Sequence, residues 1–225
     1  MIKSKKLIIV GDTAFAEIAL EYFDADSDYE VVGFSVEEAF LKAPKKCGLP
    51  VMPFEHLDSY FSPDNHYVYV AIVYTQLNRL RTRLSTTAKN KGYKLASYIS
   101  SRAFIWRNVE LGEHCFIFED NTVQPFVKIG KNVVLWSGNH IGHHSTINDN
   151  CFIASHAVIS GFCDIGENTF IGVNATVANN INVGKDNWLG PNTVIMKNTE
   201  SGSLFKTEQP DPAKITANRF FKVKE

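Results

Sequence analysis

From Ile105 onward an aliphatic residue returns at every sixth position: Leu111, Ile117, Val123, Ile129, Leu135, Ile141, Ile147, Ile153, Ile159, Ile165, Ile171, Val177, Val183, Leu189 and Ile195. A fixed internal period of this kind decides the architecture before any local structure is weighed. Four residues after these aliphatics the side chains are small or medium, as at Val109, Cys115, Asn121, Val127, Cys151, Ala157 and Ala175. One large and one small inward side chain per hexad describe a short strand, a corner and another short strand. Three such sides close a triangular coil of eighteen residues, and coils stack at strand spacing, about 4.8 Å. The third position after the aliphatic is rich in Asn132, Gly138, Asn150, Asn168, Asn174, Asp186 and Asn192, residue types that tolerate a left-handed backbone at a corner. A sandwich of short strands would not hold one register over this length without an insertion.

This pattern resembles the hexapeptide-repeat proteins, which fold as left-handed parallel β-helices and follow the aliphatic with Gly, as in Leu111-Gly112, Ile129-Gly130, Ile165-Gly166 and Ile171-Gly172. The resemblance implies the handedness, against the right-handed rule for other crossovers, and a trimeric acyltransferase that uses acetyl-CoA or an acyl carrier protein. The charge balance excludes one broad class. With 23 Lys+Arg against 24 Asp+Glu, the chain of 225 residues has no global field to gather a polyanion, so nucleic acid is not an expected partner. Cys47, Cys115, Cys151 and Cys163 lack C-x-x-C spacing and read as free thiols. Only four apolar residues, Leu7 to Val10, follow the N-terminal lysines, too few for a signal peptide or a membrane span, so a cytoplasmic protein is expected.

The front of the chain reads differently. Lys6 to Val10 is a strand ending in Gly11, and Thr13 to Phe23 has helical apolar spacing. Further strands are expected at 30–34, 67–73 and 94–99, with a helix over about 76–91. Alternating strands and helices predict a small parallel α/β domain over 1–97, followed by the β-helix over 98–198 and a tail over 199–225. The first strand-to-helix turn is where such a domain holds phosphate. Gly11-Asp12-Thr13-Ala14-Phe15-Ala16 keeps only the first glycine of G-x-G-x-x-G, which argues against a generic dinucleotide site.

The order of the two parts resembles bacterial nucleotide-sugar N-acetyltransferases of the bacillosamine and perosamine pathways, and the related sialic-acid O-acetyltransferases. These place a Rossmann-like nucleotide-sugar domain before a left-handed β-helix. The likeness spans nearly the whole chain, with three departures: the lost glycines, Ser35-Val36-Glu37 in place of an acidic pair, and Pro210-Asp211-Pro212-Ala213-Lys214 in place of Gly-Val-Pro-Ala-Lys. The nucleotide sugar is then expected at Gly11, Asp12, Thr13, Ser35, Glu37, Ala71 and His140.

Five histidines lie within the repeats. His114, His144 and His156 occupy the third-position corner slot, where a structural role is the default, and His140 faces outward beside Ile141. His143 sits at the second position, with Gly161 one coil later on the same corner. Acyl transfer needs a base near neutral pKa and a donor aimed at the developing oxyanion, and a histidine over a stacked glycine N–H offers both. The resemblance likewise implies His143 as general base in Ile141-Gly142-His143-His144 and Gly161 as oxyanion donor. It also implies an orienting carboxylate after the histidine, where this chain has His144: either His144 takes part differently, or a carboxylate elsewhere orients the base. A γ-class carbonic anhydrase zinc site would need a His-x4-His pair with a third histidine far upstream, which the spacing does not match; no metal is expected.

Outward positions Phe116, Val134, Phe152, Phe170 and Trp188 recur at one-coil spacing and predict a covered apolar column, against either a second subunit or the α/β domain. The polar series Glu110, Lys128, Thr146, Asp164 and Asn182 marks another side. Ala154, Gly172 and Gly190 form a smooth column that suits a pantetheine arm or close packing of subunits. CoA is expected at Gly161, Gly172, Ala178, Gly190, Asn192 and Lys197. The expected function is acetyl-CoA-dependent N-acetylation of a nucleotide-linked (dideoxy) amino sugar by a homotrimer in bacterial surface-glycan (lipopolysaccharide or O-antigen) biosynthesis. The alternatives are a sugar O-acetyltransferase and a non-catalytic trimeric binding or scaffold protein.

Overall fold

The computed structural model describes residues 2–223; Met1, Lys224 and Glu225, which fall in the expected first domain and tail, lie outside them. The α/β unit contains β1 (Lys5–Val10), α1 (Ala14–Ala25), β2 (Tyr29–Val36), β3 (Lys45–Lys46), β4 (Leu49–Pro53), the single turn α2 (Leu57–Tyr60), β5 (His66–Val70), α3 (Arg79–Asn90) and β6 (Lys94–Leu95). Its sheet runs β3-β4-β2-β1-β5-β6, parallel throughout except for the β3–β4 hairpin. Leu7 and Ile9 of β1 pack toward α1, and Ile8 and Val10 toward α2 and α3. All four are buried, as a parallel strand covered on both faces requires.

Eighteen two-residue strands follow as three parallel sheets. The first face runs from Tyr98–Ile99 to Leu204–Phe205, the second from Phe104–Ile105 to Val194–Ile195, and the third from Glu110–Leu111 to Asn182–Val183. Partners lie one coil apart, as in Phe116↔Val134 and Ile117↔Leu135, so the chain is a left-handed parallel β-helix. The repeating aliphatics and the smaller residues between them form one buried core from Cys115 to Ile195. Every sixth residue from His114 to Asn192 has positive φ, between 56° and 76°, including Phe126, His144, His156 and Phe162. The glycines after the aliphatics answer to coil stacking: a Cβ on Gly172 would lie 2.6 Å from the backbone N of Pro191.

Three local expectations are corrected. The helix expected from 76 begins at Arg79, because Gln76, Leu77 and Asn78 all have positive φ and cannot join a right-handed helix. The strand expected over 67–73 ends at Val70, and Ile72 and Val73 instead turn their carbonyls toward Arg81. The segment 94–99 is split: Lys94–Leu95 pairs with β5, whereas Tyr98–Ile99 pairs with Phe116–Ile117 and starts the first face of the β-helix.

The apolar column is covered by the chain's own α/β unit, which corrects the subunit-interface version of that expectation. Phe116 meets Phe15, Phe23 and Tyr69 at 5.6, 5.6 and 5.1 Å between ring centres, and Tyr74 meets Phe152 and Phe170 at 5.3 and 4.6 Å. Helix α1, whose buried face is Phe15, Ala16, Ala19 and Phe23, is held between its own sheet and the first face.

A polar joint completes the contact. Arg81 is fully buried and donates to seven oxygens: Asn132 Oδ1 and O, Asn78 Oδ1, and the carbonyls of Ile72, Val73, Asn150 and Cys151. His114, also buried, accepts the Val70 N–H at Nε2 (2.9 Å), so its proton is on Nδ1, facing Asn132 Oδ1 at 2.8 Å. Burial, with the Arg81 charge nearby, pulls the His114 pKa down to about 4. The unfolded chain therefore takes up a proton between about pH 6.5 and 4 that the folded chain refuses, so stability falls as the pH falls through that window. Urea unfolding should show about 3 kcal/mol lost at this one residue between pH 7 and pH 4. A His114→Asn variant should show a correspondingly flatter dependence.

Candidate active site

The corner between the second and third faces carries the candidate chemistry. It stacks Pro125, His143, Gly161, Asn179 and Lys197 at eighteen-residue spacing, with Phe126, His144, Phe162 and Asn180 beside them. The backbone ladder continues around this corner through Phe162 N–H to His143 O (3.0 Å) and Asn180 N–H to Gly161 O (3.1 Å). The amides of the second-position residues stand outside the ladder and are met by side chains. His143 N–H donates to Gln124 Oε1, and Gly161 N–H donates to Asn179 Oδ1, each at 2.9 Å.

The His143 imidazole lies directly over Gly161. A Cβ at Gly161 would sit 2.8 Å from His143 Cε1 and 3.0 Å from Nε2, so only glycine leaves room for the ring. His143 Nδ1 is 3.1 Å from His144 Nδ1. One of the two nitrogens must carry the proton and the other accept it. The His144 ring is stacked between Phe126 and Phe162, at 4.6 and 4.8 Å with interplanar angles of 28° and 17°. Three left-handed corner residues in register thus make an aromatic stack that fixes the ring next to His143.

The residues expected to bind the nucleotide sugar divide into two groups. Gly11, Ser35 and Ala71 are buried at the carboxyl ends of β1, β2 and β5: Gly11 N–H donates to Ser35 O, Ser35 Oγ donates to Met52 O, and a Cβ on Gly11 would lie 2.9 Å from Ala71 O. Their side chains are not available to a ligand. Asp12 opens into a cleft of about 140 Å³ with Lys42, Lys45 and Lys46, and the exposed Thr13 is the residue before α1. Glu37 lies at the end of β2 and is held by Arg83 through bonds of 2.7 and 2.9 Å, which keep its carboxyl below the usual range. His140 is elsewhere, outward on the second face between Thr122 and Val158.

The expected CoA residues flank the second face on two corners. Gly161, Ala178 and Lys197 belong to the corner of His143, whereas Gly172, Gly190 and Asn192 belong to the corner between the first and second faces. Gly172 and Ala154 also line an apolar cavity of about 480 Å³ with Tyr74, Trp136, Phe152, Phe170 and Trp188. Sequence reasoning missed Asn179, Gln124, the two phenylalanines around His144, the lysine cleft and Arg83. The eighteen-residue register would have found the first four, since each stacks at a fixed offset from His143.

No group of three or more His, Cys, Asp or Glu placed to hold a metal occurs among the described residues. No described helix is long and apolar enough to cross a membrane.

The bacterial transferase hexapeptide (six repeats) family matches residues 126–161 and 144–179. No curated protein matches the chain. The acetyltransferase domain of PglB from Neisseria gonorrhoeae FA1090 superposes with a TM-score of 0.80 at 22% identity, over 89% of this chain and 96% of that one. PerB from Caulobacter crescentus, in complex with CoA and GDP-perosamine, gives 0.79 at 23% identity over 88% and 92%. WeeI from Acinetobacter baumannii AYE gives 0.55 at 18% identity over 89% and 96%. Residues 126–179 of the β-helix thus match the bacterial transferase hexapeptide model, and the fold, a β-helix behind a small α/β unit, is shared with PglB and PerB.

Proposed function

We propose that the chain is an acetyl-CoA-dependent N-acetyltransferase that acts on the amino group of a nucleotide-linked amino sugar in bacterial surface-glycan biosynthesis. The observation that carries this reading is the His143 ring lying over Gly161, whose buried N–H stands outside the backbone ladder. Fold likeness supports it, since PerB is a structure with CoA and GDP-perosamine bound. The cleft beside Asp12 supports it too, because Lys42, Lys45 and Lys46 line it and bring positive charge toward a diphosphate, although the Lys46 ammonium is paired with Glu17.

Acetyl-CoA would supply the activated acyl group. His143 Nδ1–H donates to His144 Nδ1, which leaves the lone pair of His143 Nε2 to take the amine proton during attack. Gly161 N–H receives the charge that develops on the acyl oxygen, and as the tetrahedral adduct collapses the C–S bond breaks and His143 Nε2 returns the proton to the departing CoA sulfur. His144, clamped between two phenyl rings, does the orienting work that a carboxylate would otherwise do. Lys197, three coils above His143 on the same corner, is placed for the phosphates of CoA, with Ala178 leaving room for its arm.

The two halves of this site do not meet within one chain. The α/β unit covers the first face, and His143 lies on the opposite corner of the triangular section, between strands His140–Ile141 and Thr146–Ile147. The reading therefore includes a homotrimer in which the nucleotide cleft of one copy faces His143 of the next. The second face suits that contact: its outward residues include Phe104, Val158 and Val194, exposed by 54, 39 and 63%, flanked by Trp106 and Met196.

His143→Ala and Gly161→Ala should each lower kcat by about a hundredfold or more, the latter by displacing the imidazole, with the oligomer intact. Val158→Glu should split the trimer in sedimentation and abolish turnover while circular dichroism remains native. The deciding assay is release of CoA thiol from acetyl-CoA over a panel of UDP-, dTDP- and GDP-linked 3- and 4-amino sugars, with non-amino nucleotide sugars as controls. Thiol release with an amino sugar, yielding a product stable to mild alkali, is the expected result. An alkali-labile product would mean an ester and overturn N-acetylation, and no rise in Tm with CoA would favour a scaffold.

A further inference from the structure

We propose that Asn179 is a stopper for the oxyanion pocket: its side-chain carbonyl stands where the acyl oxygen of the thioester binds, and the two exchange on the Gly161 N–H. The inference rests on the role given to Gly161 above and adds a residue that governs recognition of the acyl group.

Gly161 is buried, and its N–H has no partner in the ladder, since the ladder bonds around it run from Phe162 to His143 and from Asn180 to Gly161 O. A buried amide left without an acceptor is costly. Asn179 Oδ1 removes that cost at 2.9 Å from one coil above. Asn179 is itself exposed, and among the described residues this is the one hydrogen bond its side chain makes to protein. Another second-position amide in this β-helix is capped in the same way by a residue one coil away, as Lys131 N–H is by Asp149 Oδ1. At Gly161 the capped amide lies against the His143 ring, so the capping oxygen occupies the position that a reacting carbonyl must take.

The chemistry of the exchange sets its consequences. One neutral N–H···O=C bond replaces another, so opening the pocket to a carbonyl is nearly isoenergetic. A ligand without the acyl carbonyl gains nothing from displacing Asn179. Asn179 therefore lowers the affinity for carbonyl-bearing CoA derivatives and leaves that for CoA itself untouched. An aspartate at this position would hold the Gly161 N–H by a charge-assisted bond, roughly twice as strong, and would repel the oxyanion.

The test is isothermal titration of the full-length protein with two ligands, CoA and the ketone analogue of acetyl-CoA in which CH2 replaces the thioester sulfur. The quantity read is the ratio of the two affinities, which cancels any general effect of charge on the CoA phosphates. In Asn179→Asp the ratio should shift about tenfold against the ketone at pH 8, and it should recover as the pH is lowered and the carboxylate protonates. In Asn179→Ala it should shift about threefold toward the ketone. The same ratio in both variants as in the wild type, with CoA still bound, would overturn the stopper and leave the acetyltransferase reading standing. Failure of the wild-type protein to bind either ligand would overturn both.

Discussion

The β-helix depends on a steric condition repeated at every corner. A coil of eighteen residues returns to its starting point only if one residue in six adopts the left-handed region, and only if the next coil can lie directly upon it. The first requirement is met mostly by Asn, Asp and Gly, and also by His114, Phe126, His144, His156 and Phe162, where the cost of a left-handed non-glycine residue is borne by the packing around it. The second is met by glycine wherever a Cβ would strike the coil above. Together they leave almost no freedom in where a side chain can be. His143 is over Gly161 because the register allows no other neighbour, and the site inherits its precision from the scaffold rather than from a loop.

The same stacking accounts for the way His144 is held. Phe126, His144 and Phe162 share one corner slot on successive coils, so their rings stack at the spacing of the coils themselves. A histidine at an exposed corner would ordinarily sample several rotamers. Between two phenyl faces it is confined, and its Nδ1 is presented to the Nδ1 of His143. The His143 ring is thus oriented by packing and by the neighbouring imidazole, with no carboxylate in hydrogen-bond contact among the described residues.

The placement of the α/β unit follows from a different interaction. Arg81 carries its charge into the interface with oxygens as its hydrogen-bond acceptors and no carboxylate among them, and burial pulls its pKa down to about 10, still well above neutrality. A buried guanidinium is tolerable only if its donors are met, so the joint admits little slippage. Asn132 links it to His114 and to Asn150, and Asn78, presented by three successive left-handed residues, closes the other side. This network, with the aromatic contacts of Phe15, Tyr69 and Tyr74, sets the α/β unit on the first face and leaves the second uncovered. It is also the reason the cleft beside Asp12 and His143 lie on different sides of one chain.

The β-helix was legible from sequence because its constraint is strictly periodic: inward aliphatics, left-handed corners and the pairing of His143 with Gly161 are all consequences of counting in sixes and eighteens. The two-strand insertion at Lys45–Pro53, the late start of α3 and the split of residues 94–99 were not legible, since short apolar runs look alike whether they pair in one sheet or another. The apolar column announced that something must cover it, and only the tertiary structure decided that Phe15, Phe23, Tyr69 and Tyr74 do so, because contacts between distant segments leave no periodic trace. For the same reason Arg81 reads in sequence as one more basic residue on a helix, and Asn179 as one more corner amide. By itself the sequence determined the coil, its register and the residue over Gly161; the fold in three dimensions decided which face is free, which donors are already taken, and which rings hold the His143 corner in place.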